Sequence, residues 1–230
     1  MQNTVLITGA NGNLGQAVVK KFLDTGYKVI AIDGSDNNLS FAKKSPDFEW
    51  LSVNLASEAE ASEKISQIIN QYKQVHAALL LVGGFAMGKL QETDGALLNK
   101  MFTLNFNTAY FSSRPLFDHM MKMGTGRIVF VGARPALAPQ DGKKMAAYAL
   151  SKSLLFTLAN LMNAEAKGKN VTTSLIVPST IDTPANRESM PDANPENWVK
   201  AEEIAETLSF ICSTAANPMR EMVYKLYNNS

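Results

Sequence analysis

The chain has 230 residues, 46% of them hydrophobic, and 22 Lys and Arg face 21 Asp and Glu for a formal net charge of +1. That length and apolar content suit a single α/β domain over residues 1–230, and the near-neutral balance removes any strong electrostatic case for nucleic acid or an anionic membrane. A lone cysteine, Cys212, excludes an intramolecular disulfide and points to a reducing cytoplasm.

The first strand is expected to begin after three residues, which leaves no room for a signal peptide. No apolar stretch reaches the roughly 18 residues that span a bilayer. Val5, Leu6 and Ile7 form an apolar run without alternation, as in a strand buried on both faces. Gly9, Gly12 and Gly15 follow, and then Val18, Val19, Phe22 and Leu23 recur at helical spacing. Gly26 stands where a helix C-terminal glycine belongs. Val29, Ile30 and Ile32 make the second strand, which ends on Asp33, 18 residues after Gly15.

This βαβ unit has the parts that bind a dinucleotide. The glycines permit a tight turn and close approach of backbone to a pyrophosphate. The free N–H groups of the helix start face the phosphates, and an acid can accept from the adenosine ribose hydroxyls. The turn assigned to the cofactor spans Gly9, Asn11, Gly12, Asn13, Leu14 and Gly15, with Asp33 for the ribose.

A short helix is predicted near residues 39–44, and a third strand over 48–53 ends at Asn54. Ile65, Ile68, Ile69 and Tyr72 place a helix within 56–72. A fourth buried strand over 77–82 is closed by Gly83-Gly84. Residues 94–123 read as one long helical region or two helices, with Pro115 marking a kink or a first turn. Strand five covers 127–131, a loop 135–144, a strong helix 145–167, and strand six 171–177, stopped by Pro178. Residues 184–198 lack periodicity and are rich in Pro, Asn, Glu and Asp; they read as a flexible flap over a substrate. A helix over 201–212 and a last strand near 222–227 complete the chain.

Alternating strands and helices predict a Rossmann-type doubly wound parallel sheet of about seven strands, covered on both faces. Right-handed crossovers bring every strand's carboxyl end to one edge. The glycine turn, Asp33, Gly83-Gly84 and residues 178–183 should therefore line one crevice.

Tyr148 and Lys152 lie one turn apart on the helix after strand five, so they project on one face. An ammonium beside a phenol is expected to stabilise the tyrosinate and lower its pKa. That makes an acid/base usable near neutral pH.

With these residues the sequence resembles the short-chain dehydrogenase/reductase family over nearly its whole length. The resemblance implies that Tyr148 is the acid/base and that Lys152 binds the nicotinamide ribose and tunes it. It also implies that Asn105 supports a proton-relay water. Asn54, Gly83, Gly84, Pro178, Ile181 and Thr183 join Tyr148 and Lys152 as implied cofactor contacts. No metal is implied, and a homodimer or homotetramer built partly on the 145–167 helix is.

Two departures stand out. The family's Thr-Gly-x-x-x-Gly-x-Gly has its middle glycine one position early here, at Gly12. The serine that holds the substrate oxygen is replaced by Ala133, and no Ser or Thr occurs between Gly126 and Tyr148. One branch, the dihydropteridine reductases, shares the second departure. Residues 132–137 (GARPAL), 182–187 (DTPANR) and 189–193 (SMPDA) resemble its segments. That implies NADH, preferred over NADPH, as hydride donor to a small conjugated substrate such as a quinonoid dihydropterin. The alternatives are a generic short-chain carbonyl reductase and a non-catalytic nucleotide sensor of the same fold. Arg114, Arg134 and Arg187 are candidates to meet a polar substrate. His76 and His119 are expected at helix ends or loops with no catalytic part, and Cys212 in the core.

Overall fold

The computed structural model describes residues 2–220 and 222–229. Its strands are β1 (Thr4–Thr8), β2 (Lys28–Ile32), β3 (Phe48–Leu51), β4 (Ala77–Leu80), β5 (Thr125–Val131), β6 (Asn170–Pro178) and β7 (Val223–Leu226). Among the described residues they form one seven-stranded sheet in the order β3-β2-β1-β4-β5-β6-β7, every pairing parallel. The chain builds outward from β1 to β3, then returns to lay β4 on the other side of β1. The carboxyl ends of β1 and β4 thus flank the switch point, where sheets of this kind bind their ligands.

The period of two in each strand sorts its side chains onto two cores. Leu6, Ile30, Ile32, Ala78 and Leu80 face one core. There they meet Ile65 and Ile68 of α2 (Glu58–Tyr72), and Leu116 and Met120 of α4 (Thr108–Met123). Leu155 and Met162 of α6 (Ala146–Glu165) complete that layer. Val5, Ile7, Val29, Ala31 and Leu79 face the opposite core, against Val18, Val19 and Phe22 of α1 (Asn13–Asp24). Ile204, Leu208 and Ile211 of α8 (Ala201–Ile211) close it. Continuous apolar strands are the sequence mark of this two-sided burial.

Several boundaries differ from expectation. Residues 39–44 form successive i→i+3 turns rather than a helix, with Ala42 N–H donating to Leu39 O and Ser45 N–H to Ala42 O. Leu39 and Ala42 are nonetheless buried, and their packing holds the turns. The third and fourth strands stop at Leu51 and Leu80, short of Val53 and Val82. The expected loop after β5 contains a short helix, α5 (Arg134–Leu137), and a 3₁₀ turn over Pro139–Gly142. The 94–123 region is α3 (Gly95–Phe102) joined to α4 by a π-helical turn, Thr103–Asn107. Pro115 falls inside α4, away from its first turn. Residues 184–198 carry α7 (Pro184–Ser189) and a 3₁₀ turn, and Trp198 is buried, so that segment is anchored at its far end. No helix among the described residues is long and apolar enough to cross a membrane.

Candidate active site

The turn after β1 is built by its glycines. Gly9 has φ +68°, and a Cβ there would lie 3.0 Å from Val82 N, two residues past the end of β4. A Cβ on Gly15 would come within 2.2 Å of Gly9 O. Only glycines let the helix start fold this tightly onto the turn. α1 begins after Gly12 with no side-chain cap and no acid in its first turn. Its leading N–H groups and positive dipole end are left for an acceptor from outside the chain. With the middle glycine at position 12 the helix start is still uncapped, and Asn13 and Leu14 open α1.

Asp33 stands beside this turn. Its Oδ2 accepts from Asn11 N–H at 2.9 Å and its Oδ1 from Gly34 N–H at 2.7 Å. Asn11 is held in turn: its Nδ2 donates to Ser35 Oγ at 2.9 Å, and its Oδ1 accepts from Asn38 N–H at 2.8 Å. The carboxylate is thus fixed by two backbone donors, with further lone pairs left for hydroxyl donors.

The second half of the site hangs on Asn105, fully buried in the π-helical turn. A π-helical turn rotates a side chain relative to the α-helix on either side and recurs at functional sites. Asn105 Oδ1 accepts from Gly84 N–H at 2.9 Å, and its Nδ2 donates to Gly84 O at 3.0 Å and to Ser151 Oγ at 3.0 Å. Ser151 Oγ donates to Tyr148 O at 2.8 Å. One amide therefore ties the end of β4 to the turn of α6 that carries Tyr148. A Cβ on Gly83 would stand 2.9 Å from Asn105 Oδ1 and 3.1 Å from Lys152 Nζ, so these groups crowd one point. Lys152 Nζ donates to Val131 O, the last residue of β5, at 2.8 Å. Phe85 meets the Tyr148 ring edge-on, centroids 5.1 Å apart.

The electrostatics differ from the sequence expectation. Burial pushes the Tyr148 phenol up to about 12, and burial brings the Lys152 ammonium down to about 8. Burial, not the lysine, sets the phenol here, and the Lys152 ammonium is engaged by the Val131 carbonyl. Among the described residues the Tyr148 hydroxyl has no hydrogen-bond partner, so its proton stands available to a ligand.

Other singled-out residues fall as follows. Asn54 follows β3, and its Oδ1 accepts from Ala56 N–H at 3.2 Å. Pro178 pairs with Leu226 at the end of the sheet. Ile181 packs against the α1/α8 core and bridges Val199, and Thr183 Oγ1 caps α7 by accepting from Asn186 N–H. Arg187 clamps Asp182 with bonds of 2.6 and 2.8 Å, which hold that carboxyl below its usual range. Arg114 pairs with Glu58 across α2 and α4. Only Arg134 adjoins Ala133, at the carboxyl end of β5. His76 accepts from Thr4 N–H at the opposite edge of the sheet, and burial lowers its pKa. His119 lies within α4 rather than at its end, and its Nε2 accepts from Val75 N–H. Burial pushes the Cys212 thiol up to about 12.

Sequence reasoning missed Ser151, Phe85 and the Val131 carbonyl. Ser151 had a signal, three residues after Tyr148 on the same helix; the other two depend on contacts across the fold.

The short chain dehydrogenase family profile matches residues 3–194. A dihydropteridine reductase of Dictyostelium discoideum is 30% identical over 211 residues, 90% of this chain and 87% of that one. A 3-ketodihydrosphingosine reductase of Mus musculus is 27% identical over 196 residues, 80% of this chain and 58% of that one. Among solved structures, ElxO with NADP bound superposes with a TM-score of 0.90 at 19% identity, covering 98% of this chain and 97% of that one. A short-chain oxidoreductase from Burkholderia thailandensis gives 0.86 at 22%, covering 100% and 92%.

Proposed function

Because the chain belongs to the short-chain dehydrogenase family and is an NAD(P)-dependent oxidoreductase, we propose that it uses NADH to reduce a small conjugated substrate of the quinonoid dihydropterin class. The observation that carries this reading is Ala133, buried at the end of β5 where the family places a serine. A ketone gathers negative charge on one oxygen as it is reduced, and losing one donor to such an oxygen costs about 10²- to 10³-fold in rate. A quinonoid pterin spreads the incoming charge over ring nitrogens, so one proton donor suffices. The 30% identity to a dihydropteridine reductase supports the same reading.

The residues fit a dinucleotide: glycines at 9 and 15 let the turn fold tightly onto an uncapped helix start, and an acid stands at the ribose position. When bound, the nicotinamide supplies a hydride. Tyr148 holds the balancing proton at Oη and gives it to the substrate. Lys152, in reach of the same crevice, holds the ribose and turns its charge to the phenol when ligand contacts draw it from Val131. Asn105 keeps Gly84 and the Tyr148 turn in register. Asn54, Pro178, Ile181 and Thr183 form the remaining cofactor wall, and residues 184–198 cover the substrate.

NADH is favoured over NADPH because Asp33 would repel a 2′-phosphate. No Arg or Lys lies in residues 8–15 or 34–42, and the nearby Lys43 is paired with Asp36. Leu150 and Leu161 on α6 are 48% and 64% exposed, which supports a homodimer or homotetramer using that helix. The test is steady-state kinetics on a quinonoid dihydropterin and on simple ketones, with isothermal titration of both cofactors. Higher kcat/KM on the pterin with tighter NADH binding is expected, and Tyr148→Phe should lower turnover at least about 10²-fold. Ketone turnover without pterin activity, or tighter NADPH binding, overturns the assignment.

A further inference from the structure

Resting on that reading, we propose that Arg134 and Asp141 form the subsite that grips the 2-amino-4-oxopyrimidine edge of the substrate. Arg134 follows Ala133 directly at the carboxyl end of β5, and Asp141 lies in the 3₁₀ turn leading toward the helix of Tyr148. The two are joined by one hydrogen bond, Arg134 Nε to Asp141 Oδ2 at 3.0 Å. Arg134 Cζ also sits 5.6 Å from the centroid of the Tyr227 ring. Tyr227 is fixed over the ends of β6 and β7, because Ser179 Oγ donates to Tyr227 O at 3.0 Å and Ser179 N–H to Leu226 O at 2.9 Å. The guanidinium is therefore stacked and braced above the carboxyl edge that carries the rest of the site.

What the pair leaves unused decides its chemistry. Among the described residues neither Nη of Arg134 has a hydrogen-bond partner, and Asp141 Oδ1 has none either. Both side chains are partly exposed, at 40% and 35%. The pair therefore presents donors and an acceptor side by side. A 2-amino-4-oxopyrimidine edge is the complement: its 4-oxo group accepts from Arg134, and its amino group donates to Asp141. A simple ketone matches only the donor half.

The experiment has two arms with the purified enzyme. The first measures KM and kcat for quinonoid dihydropterin in wild type, Arg134→Gln, Asp141→Asn and Arg134→Lys. Thermal stability and NADH affinity serve as controls. Arg134→Gln and Asp141→Asn should raise KM at least about tenfold with kcat within about threefold, and NADH affinity should stay unchanged. Arg134→Lys keeps the charge and loses the planar fork, so its KM should fall between. The second arm titrates the tetrahydropterin product against its 4-amino analogue. Wild type should prefer the 4-oxo compound at least about tenfold, and Arg134→Gln should lose the preference because an amide can either donate or accept. If wild type neither turns over nor binds the pterin, the functional reading itself fails. If wild type is active while the variants keep native KM and wild type shows no 4-oxo preference, this subsite alone is overturned.

Discussion

Replacing Asn105 with Ala removes three hydrogen bonds at once: two to Gly84 and one to Ser151. Asn105 is fully buried, so its partners lose these bonds away from bulk solvent. At about 1 kcal/mol net per bond the loss is about 3 kcal/mol. In a domain of this size each kcal/mol moves Tm by about 2–4 °C, so the drop should be about 6–12 °C. Activity should fall further than stability alone explains. Gly84 would lose its anchor beside Gly83, and the Tyr148 turn would lose its tie to β4 through Ser151. We expect kcat to fall at least about tenfold at a temperature where the variant is still folded, from misplacement of the reacting groups. Asn105→Asp should be no better: it keeps the acceptor for Gly84 N–H but turns an acceptor toward Gly84 O. Calorimetry gives Tm, and steady-state kinetics gives kcat. An Asn105→Ala enzyme with Tm within about 2 °C of wild type and native turnover would refute the idea that this amide clamps the site.

Two further outcomes are expected. Ala133→Ser should raise kcat/KM on simple ketones at least about tenfold while leaving the pterin within a few-fold, since it restores one oxygen donor; unchanged ketone turnover would remove Ala133 as the cause of selectivity. Lys152 has its pKa brought down to about 8 in the fold, against 10.5 ordinarily. Between those values the unfolded lysine holds a proton that the folded one has released, so this group makes stability rise with pH across that window. Lys152→Met should flatten the rise in urea unfolding between about pH 8 and about pH 10; an unaltered slope would mean that the ammonium is not desolvated.

The glycine turn after β1 was legible because its determinants are local. Gly9 and Gly15 are required by backbone positions a few residues apart, and the runs 5–7 and 29–32 declare a doubly buried strand by composition. The parallel sheet and its binding edge followed from alternation of elements and the handedness of crossovers. Tyr148 and Lys152 were legible from their one-turn spacing together with their place on the helix after strand five, since the spacing by itself is common.

What the sequence left open depends on residues that meet only after folding. Residues 39–44 have a helix-like apolar spacing, yet the burial of Leu39 and Ala42 is satisfied by turns. The pKa of Tyr148 could not be read from its spacing to Lys152, because it is set by how deeply the packed fold buries the phenol, while the lysine's ammonium goes to the Val131 carbonyl, 21 residues away. Asn105 was singled out through the family resemblance, but not its contacts: its partners Gly84 and Ser151 lie 21 and 46 residues distant, and a π-helical turn aims its amide at them. The pairing of Arg134 with Asp141 beneath Tyr227 needed β7 to arrive beside β6 at the far end of the chain. Period and turn chemistry are properties of neighbouring residues. The direction of a charged side chain is decided by whichever distant acceptor the packed fold brings within about 3 Å.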